Sequence, residues 1–314
     1  MDVYSIGEMV IDFTPGEEEA SYIRNAGGAP ANLAISVARN GLSAGMLCSV
    51  GEDDFGRFLQ DTLREHGVEV LKPERCSEAV TTMAFVSLND EGERTFVFAR
   101  KPGADMFLCE DDVREEDIDR SVIVHGGSCS LSKPSADAAT RKALRLGHER
   151  GRLVSFDVNY RDLLWDGDEA ACAAAVREVL PYVDLLKVSD EEVRLFGGSQ
   201  AIPELMEQYD ITAVVETLGS RGARCYLGDA ILDVSGRPAN CVDATAAGDA
   251  FWGGVLASLR QQGVTEKSQL TDEVLRQALH YGNASGGLCV QCKGAICALP
   301  SREEIASYLD EANF

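Results

Sequence analysis

The chain has 314 residues, 45% hydrophobic and 26% charged, and its 52 acidic side chains outnumber 29 basic ones for a net charge of −23. This composition fits a globular fold with a sizeable core and excludes a disordered, collagen-like or low-complexity chain. The negative field makes nucleic acid and anionic membrane surfaces poor partners. Met1-Asp2-Val3-Tyr4 lacks the basic and apolar regions of a secretory leader, and no apolar run reaches membrane-spanning length. The expectation is a cytoplasmic protein whose ten scattered cysteines are reduced.

Taken in chain order, the apolar run Val3–Ile6 reads as a buried strand, and Pro30 to Asn40 as a helix that opens near a proline and stops at Gly41. Met46–Val50 is a second strand. Phe55 to His66 is a helix, with Phe55, Leu59 and Leu63 on one face and Gly67 as its stop. Strands follow at Val122–His125, Leu153–Phe156, Val183–Val188 and Ala213–Val215. The intervening and later helices are Ala136 to Arg150, Glu169 to Leu180, Ala250 to Gln262 and Asp272 to Gly282. Such alternation predicts an α/β fold, a doubly wound and mostly parallel sheet covered on both faces.

Two stretches break the alternation. Ile11–Ile23 and Thr81–Phe98 are extended, and an Asn89–Gly92 turn between Met83–Leu88 and Thr95–Phe98 signals a hairpin. These segments, about residues 11–23 and 81–108, are expected to form a small β lid over the carboxyl edge of the main sheet. No linker or repeat divides residues 1–314, so one domain is expected.

The segment Cys241-Val242-Asp243-Ala244-Thr245-Ala246-Ala247-Gly248-Asp249-Ala250-Phe251 is the most informative. Small residues open a helix whose apolar positions run Phe251, Val255, Leu259. A helix start offers unpaired N–H groups and the positive end of the dipole to an anion. Asp249 in that first turn can serve as a general base toward a hydroxyl that attacks a phosphoryl group, or can simply complement the dipole. Cys289-Val290-Gln291-Cys292 with Cys297 lacks a fourth thiol or a suitably spaced histidine and reads as structural. His66, His125, His148 and His280 form no acid–base pairing, and no dinucleotide fingerprint follows the first strand.

Val242-Asp243-Ala244-Thr245-Ala246-Ala247-Gly248-Asp249-Ala250-Phe251 resembles the C-terminal signature of the ribokinase-like carbohydrate kinases of the phosphofructokinase B type, which reads Asp-Thr-Thr-Gly-Ala-Gly-Asp-x-Phe. Gly27-Gly28-Ala29-Pro30-Ala31-Asn32, followed by Val50-Gly51-x-Asp53-x-Phe55-Gly56, is similar to the N-terminal signature. The two fall in register along nearly the whole chain. Phe96-x-Phe98-x-Arg100-x-Pro102-x-Ala104-Asp105, Gly126-Gly127-Ser128 and Asp157-x-Asn159-x-Arg161 resemble the branch that holds fructokinases and 2-keto-3-deoxygluconate kinases.

The resemblance implies site roles. Asp249 would be the catalytic base, with Ala246, Ala247 and Gly248 at the anion-binding helix start. Asp12, Gly27, Gly28, Asn32, Arg100, Asn159 and Arg161 would bind the sugar. Lys187, Ser189, Thr217, Gly219, Gly222 and Asn283 would bind the nucleotide, Ser189 standing where the family's Asn-x-x-Glu element has Asn. Glu192 would hold Mg2+ through water, and Asp243 would lie beside a monovalent cation such as K+. ATP and a small sugar would be the ligands, and two chains would pair through the lid.

The implied reaction is transfer of the ATP γ-phosphoryl group to a primary hydroxyl, with D-fructose giving fructose 6-phosphate first in order. A 2-keto-3-deoxygluconate kinase and a non-catalytic sugar-binding homologue are the alternatives. The departure that motivates the last is at the helix start, where Ala246 replaces the family's first glycine and Ala244 its threonine. A positive φ at Ala246 would cost on the order of 1 kcal/mol, whereas a helical φ would leave the methyl harmless.

Overall fold

Runs that are apolar at consecutive positions leave no face for water and pair into the middle of a sheet. In the computed structural model, which describes residues 1–16, 18, 21–88 and 94–310, the strands in chain order are β1 (Val3–Ile6), β2 (Val10–Pro15), β3 (Tyr22–Gly27), β4 (Ala44–Leu47), β5 (Val68–Val70), β6 (Met83–Leu88), β7 (Arg94–Ala99), β8 (Ile123–Gly127), β9 (Leu153–Asp157), β10 (Leu185–Ser189), β11 (Ala213–Thr217), β12 (Gly222–Leu227) and β13 (Ala230–Ser235). Nine of these form one sheet in the order β13-β12-β11-β10-β9-β8-β1-β4-β5. Pairing is parallel from β11 to β5. It is antiparallel at the β11–β12–β13 edge.

The helices are α1 (Ala29–Arg39), α2 (Asp54–Glu65), α3 (Glu115–Asp119), α4 (Ser128–Leu131), α5 (Pro134–Glu149), α6 (Glu169–Val179), α7 (Ile202–Tyr209), α8 (Ala247–Gln261), α9 (Asp272–Cys289) and α10 (Arg302–Asp310). They cover both faces. Leu33 of α1, Leu59 of α2, Trp252 of α8 and Leu275 of α9 belong to one buried layer, and Leu144 of α5, Val176 of α6 and Leu205 of α7 to the other. The expected doubly wound sheet is thus present. Among the described residues no helix is long and apolar enough to cross a membrane, and all ten cysteines are unpaired.

The expected lid is a separate four-stranded sheet in the order β3-β2-β6-β7. β2–β3 and β6–β7 are antiparallel and β2–β6 is parallel. The Asn89–Gly92 turn lies outside the described residues. The chain leaves this sheet at Ala99 rather than 108, and Ala104–Phe107 is a 3-10 turn. A buried ion pair of Arg100 with Asp105 folds that segment back against the pocket.

Two further differences have physical causes. The last long helix runs on past Gly282 to Cys289, because the small residues Ala284, Ser285 and Gly286 meet α8 at close range. Ser285 Oγ donates to the Ala250 carbonyl at 2.8 Å. β12 and β13 escape a search for uniformly apolar runs because β13 alternates buried and exposed positions. Packing of α8 on α9 fixes the direction of the helix that carries Asp249. A Cβ at Gly282 would lie 2.5 Å from Val255 Cγ2 and 2.9 Å from the Phe251 carbonyl oxygen. Gly282→Val is therefore expected to destabilise the protein by about 1–3 kcal/mol through overpacking, read as a lower midpoint of denaturant unfolding; an unchanged midpoint would contradict this packing.

Candidate active site

In an open α/β sheet, ligands bind beyond the carboxyl ends of the strands. Here the segments that leave β1, β9, β10 and β11 at that edge face the start of α8 and border two adjoining cavities of about 690 and 280 Å3. Arg161, Ala246 and Asp249 line both.

Asp249 sits in the first turn of α8 and is 7% exposed. Asn32, on the second turn of α1, donates from Nδ2 to Asp249 Oδ2 at 2.8 Å. Burial pushes the Asp249 carboxyl above its ordinary range, opposed by the Asn32 hydrogen bond and by Arg161 and Lys187. The N-terminal turn, whose N–H groups have no carbonyl four residues back, opens with Ala247 and Gly248 on the smaller cavity. Ala246 has φ 59° and ψ 8°. The family's glycine position is therefore left-handed, and its alanine stores strain on the order of 1 kcal/mol at the site.

The smaller cavity is further lined by Lys187, Ser189, Glu192, Thr217 and Asn159. Lys187 on β10 lies in register with Asp157 on β9, and Nζ bonds both carboxylate oxygens at 2.9 and 2.8 Å. Burial works against the charge on Lys187, but Asp157, Glu192 and Asp249 outweigh it and raise its pKa, so the ammonium persists inside the site. Glu192 is oriented through both oxygens, Oε1 accepting from the Tyr160 N–H and Oε2 from the Ser189 N–H, each at 2.8 Å. Asp243 Oδ1 accepts from the N–H and hydroxyl of Thr245, and Oδ2 from the Gly294 N–H. This carboxylate braces the loop that leads into α8.

The larger cavity brings together Asp12, Gly28, Asn32, Arg100 and Arg161. Gly27 lies beneath Asp12, whose carboxylate occupies the space a Cβ would need. Gly28 has φ +112°, and a Cβ there would come within 2.6 Å of the Glu8 carbonyl oxygen. Burial pushes Asp12 up to about 6, with Arg161 opposing and Asp249 adding. Arg100 donates from Nε and Nη2 to Asp105 Oδ2, the former at 2.8 Å.

Three sequence-assigned nucleotide residues stand outside both cavities. Gly219 and Gly222, with φ of 58° and 101°, form the bend between β11 and β12. Asn283 Nδ2 donates to the carbonyls of Val234 and Ser235, which ties α9 to β13. Conversely, Glu8 and Tyr160 line the larger cavity but were not singled out in the sequence, Glu8 carrying the plainer signal, a carboxylate two residues past the end of a buried strand. Asp105, quoted there only as part of the Arg100 motif, lines the same cavity and pairs with Arg100.

A helix start facing one cavity, and a buried carboxylate reaching a second, acceptor-rich cavity, define a site suited to phosphoryl transfer to a small hydroxyl compound. Comparison with known proteins gives the family. Residues 1–302 match the model described as pfkB family carbohydrate kinase, and the chain belongs to that family of sugar phosphotransferases. It is 36% identical to fructokinase-1 of Zea mays over 99% of this chain and 98% of that protein. Fructokinase from Xylella fastidiosa with bound ATP superposes with a TM-score of 0.93 at 31% identity, covering 100% of this chain and 99% of that one. Fructokinase from Vibrio cholerae O395 in its fructose-, ADP- and calcium-bound form gives 0.87 at 31% identity, with 98% of each chain covered.

Two outcomes follow from the site. Ala246→Gly relieves the left-handed alanine and is expected to raise the melting temperature by about 1–3 °C in calorimetry, and an unchanged or lower value would show that the alanine is unstrained. Because the folded-state pKa of Asp12 is raised, the empty folded protein holds a proton that the unfolded chain has lost, and this carboxyl's contribution to stability falls as pH rises from about 4 through about 6. Asp12→Asn should therefore raise the midpoint of the ligand-free protein at pH 8 and leave it nearly unchanged near pH 4. A shift of equal size at both values would contradict the assigned cause.

Proposed function

We propose that the protein is a fructokinase that transfers the γ-phosphoryl group of ATP to the 6-hydroxyl of D-fructose. The observation that carries this reading is Asp249, buried at the start of α8, held by Asn32 and shared by both cavities. Fructose would occupy the larger cavity and the triphosphate the smaller. Asp249 would take the proton of the attacking hydroxyl while the first turn of α8 and Lys187 stabilise charge on the transferring group. Arg161, lining both cavities, adds a fixed cation beside the line of transfer.

The acceptor side favours a neutral polyol. Asn32 Oδ1 and Glu8 Oε2 are buried acceptors without partners, which sugar hydroxyls can satisfy as donors. A keto-acid acceptor would call on a guanidinium: Arg100 is closed by Asp105, which leaves Arg161, also on this cavity, as the group that would receive its carboxylate, and the acceptor comparison below separates the two sugars. The retention of Asp249, Gly248 and the anion-binding turn supports an active enzyme over a sugar-binding homologue without turnover.

Mg2+ suits this site, since it binds proteins through one or two carboxylates and keeps waters and substrate phosphates as its other ligands. Among the described residues no group of three or more His, Cys, Asp or Glu forms a cage for a metal ion, and Glu192, oriented by two backbone N–H groups, would hold the ion through water. When bound with ATP, the ion would offset charge on the β- and γ-phosphates. The same reading keeps Thr217 and Ser189 beside the phosphates, Gly219, Gly222 and Asn283 toward the base, and K+ beside Asp243. Pairing of two chains through the lid is supported by Tyr22, Ile23 and Val97, which are exposed on that sheet, and a cytoplasmic location by the ten unpaired thiols.

The test is ADP release across fructose, other hexoses, ribose, 2-keto-3-deoxygluconate and nucleosides, with Asp249→Asn in parallel. Fructose is expected to give the highest kcat/KM, and the variant to lose roughly 10²- to 10⁴-fold in turnover with little change in sugar affinity. Near-normal turnover by the variant would remove Asp249 as the base.

A further inference from the structure

Glu8 sits in the short crossing from β1 of the main sheet to β2 of the lid, and is only 8% exposed. It lines the larger cavity. Its Oε2 has no hydrogen-bond partner. A buried carboxylate oxygen left in that state is unfavourable, and the rest of the pocket does not relieve it. Arg100, the obvious counter-ion, spends Nε and Nη2 on Asp105 and directs Nη1 to Ser132 Oγ. Thr82, the neighbouring hydroxyl of the cavity, donates to Asp105 as well.

The position of Glu8 is also fixed. Gly28, itself at positive φ, lets the Glu8 carbonyl oxygen pack where any Cβ would collide, so the backbone under the side chain is held by the glycine pair of α1's start. Two carboxylates, Asp12 and Glu8, therefore line the cavity.

We propose that Glu8 is a specificity-determining residue of the acceptor pocket, its carboxylate accepting a hydrogen bond from a sugar hydroxyl other than the one at Asp249. In a fructofuranose with its 6-hydroxyl at Asp249, the C1 hydroxyl and the anomeric C2 hydroxyl are the donors to be tested. A site built around a buried acceptor rejects analogues that lack the matching donor, because the acceptor is then left unpaired. The inference rests on the fructokinase reading and names the part of the sugar that this residue selects.

The experiment compares wild type, Glu8→Gln and Glu8→Asp with D-fructose, 1-deoxy-D-fructose and 2,5-anhydro-D-mannitol, which lack one or the other hydroxyl. For Glu8→Gln the KM for fructose should rise on the order of 10- to 100-fold, the loss of a charge-assisted hydrogen bond, while kcat and the KM for ATP change little. Wild type should discriminate against at least one analogue by about tenfold or more, and Glu8→Gln, which keeps only a neutral and weaker acceptor, should narrow that discrimination. If Glu8→Gln does not fold, Glu8→Asp, which withdraws the carboxylate by one methylene, must raise the KM and narrow the discrimination. Analogue discrimination in the variants equal to that of wild type would overturn the proposal, as would a wild type that accepts both analogues as well as fructose. Failure of wild type to phosphorylate fructose at all would instead sink the fructokinase reading.

Discussion

One carboxylate, buried at the start of a helix and gripped by an amide from another helix, sets the terms for the whole site. Asp249 owes its position to α8, which is pressed against α9 at Gly282 and Ser285. It owes its orientation to Asn32, 2.8 Å away on α1. The same turn that presents the carboxylate presents the positive end of the helix dipole, so the proposed base and the proposed phosphate site are placed by a single element. Movement of α8 would displace both together.

The site carries costs that its ligands can offset. Asp12 and Glu8 are held where burial pushes their carboxyls up to about 6 and about 7, and Asn32 Oδ1 and Glu8 Oε2 lack partners. Ala246 adds a strained backbone. Two buried acceptors without partners and a left-handed alanine beside one cavity suit a site that takes up polar groups from outside.

The parallel sheet was legible because its central strands are mostly apolar and buried at nearly every position, and several helices open near a proline or stop at a glycine. The helix that carries Asp249 was legible from the small residues preceding it. The Gly27–Gly28 pair was read as a place where a sugar ring approaches the backbone; within the chain Gly28 packs closely on the Glu8 carbonyl. What stayed hidden depends on contacts distant in sequence. β13 alternates because one face is exposed, and α9 extends because its small residues serve packing against α8. The closing of Arg100 by Asp105 is a matter of side-chain geometry that no periodicity encodes. Nor could the sequence decide whether residue 246 is left-handed. Gly219, Gly222 and Asn283 show the reverse case, residues with evident structural work in the bend and the α9–β13 contact.

The central claim is that one helix start joins nucleotide to sugar through Asp249. A crystal structure of the wild-type protein with fructose and a non-hydrolysable ATP analogue tests it most directly. The account predicts the terminal phosphorus against the first turn of α8 and the fructose 6-hydroxyl within about 2.6–3.2 Å of the Asp249 carboxylate. A terminal phosphate bound away from that turn, or a sugar whose 6-hydroxyl points away from Asp249, would contradict it.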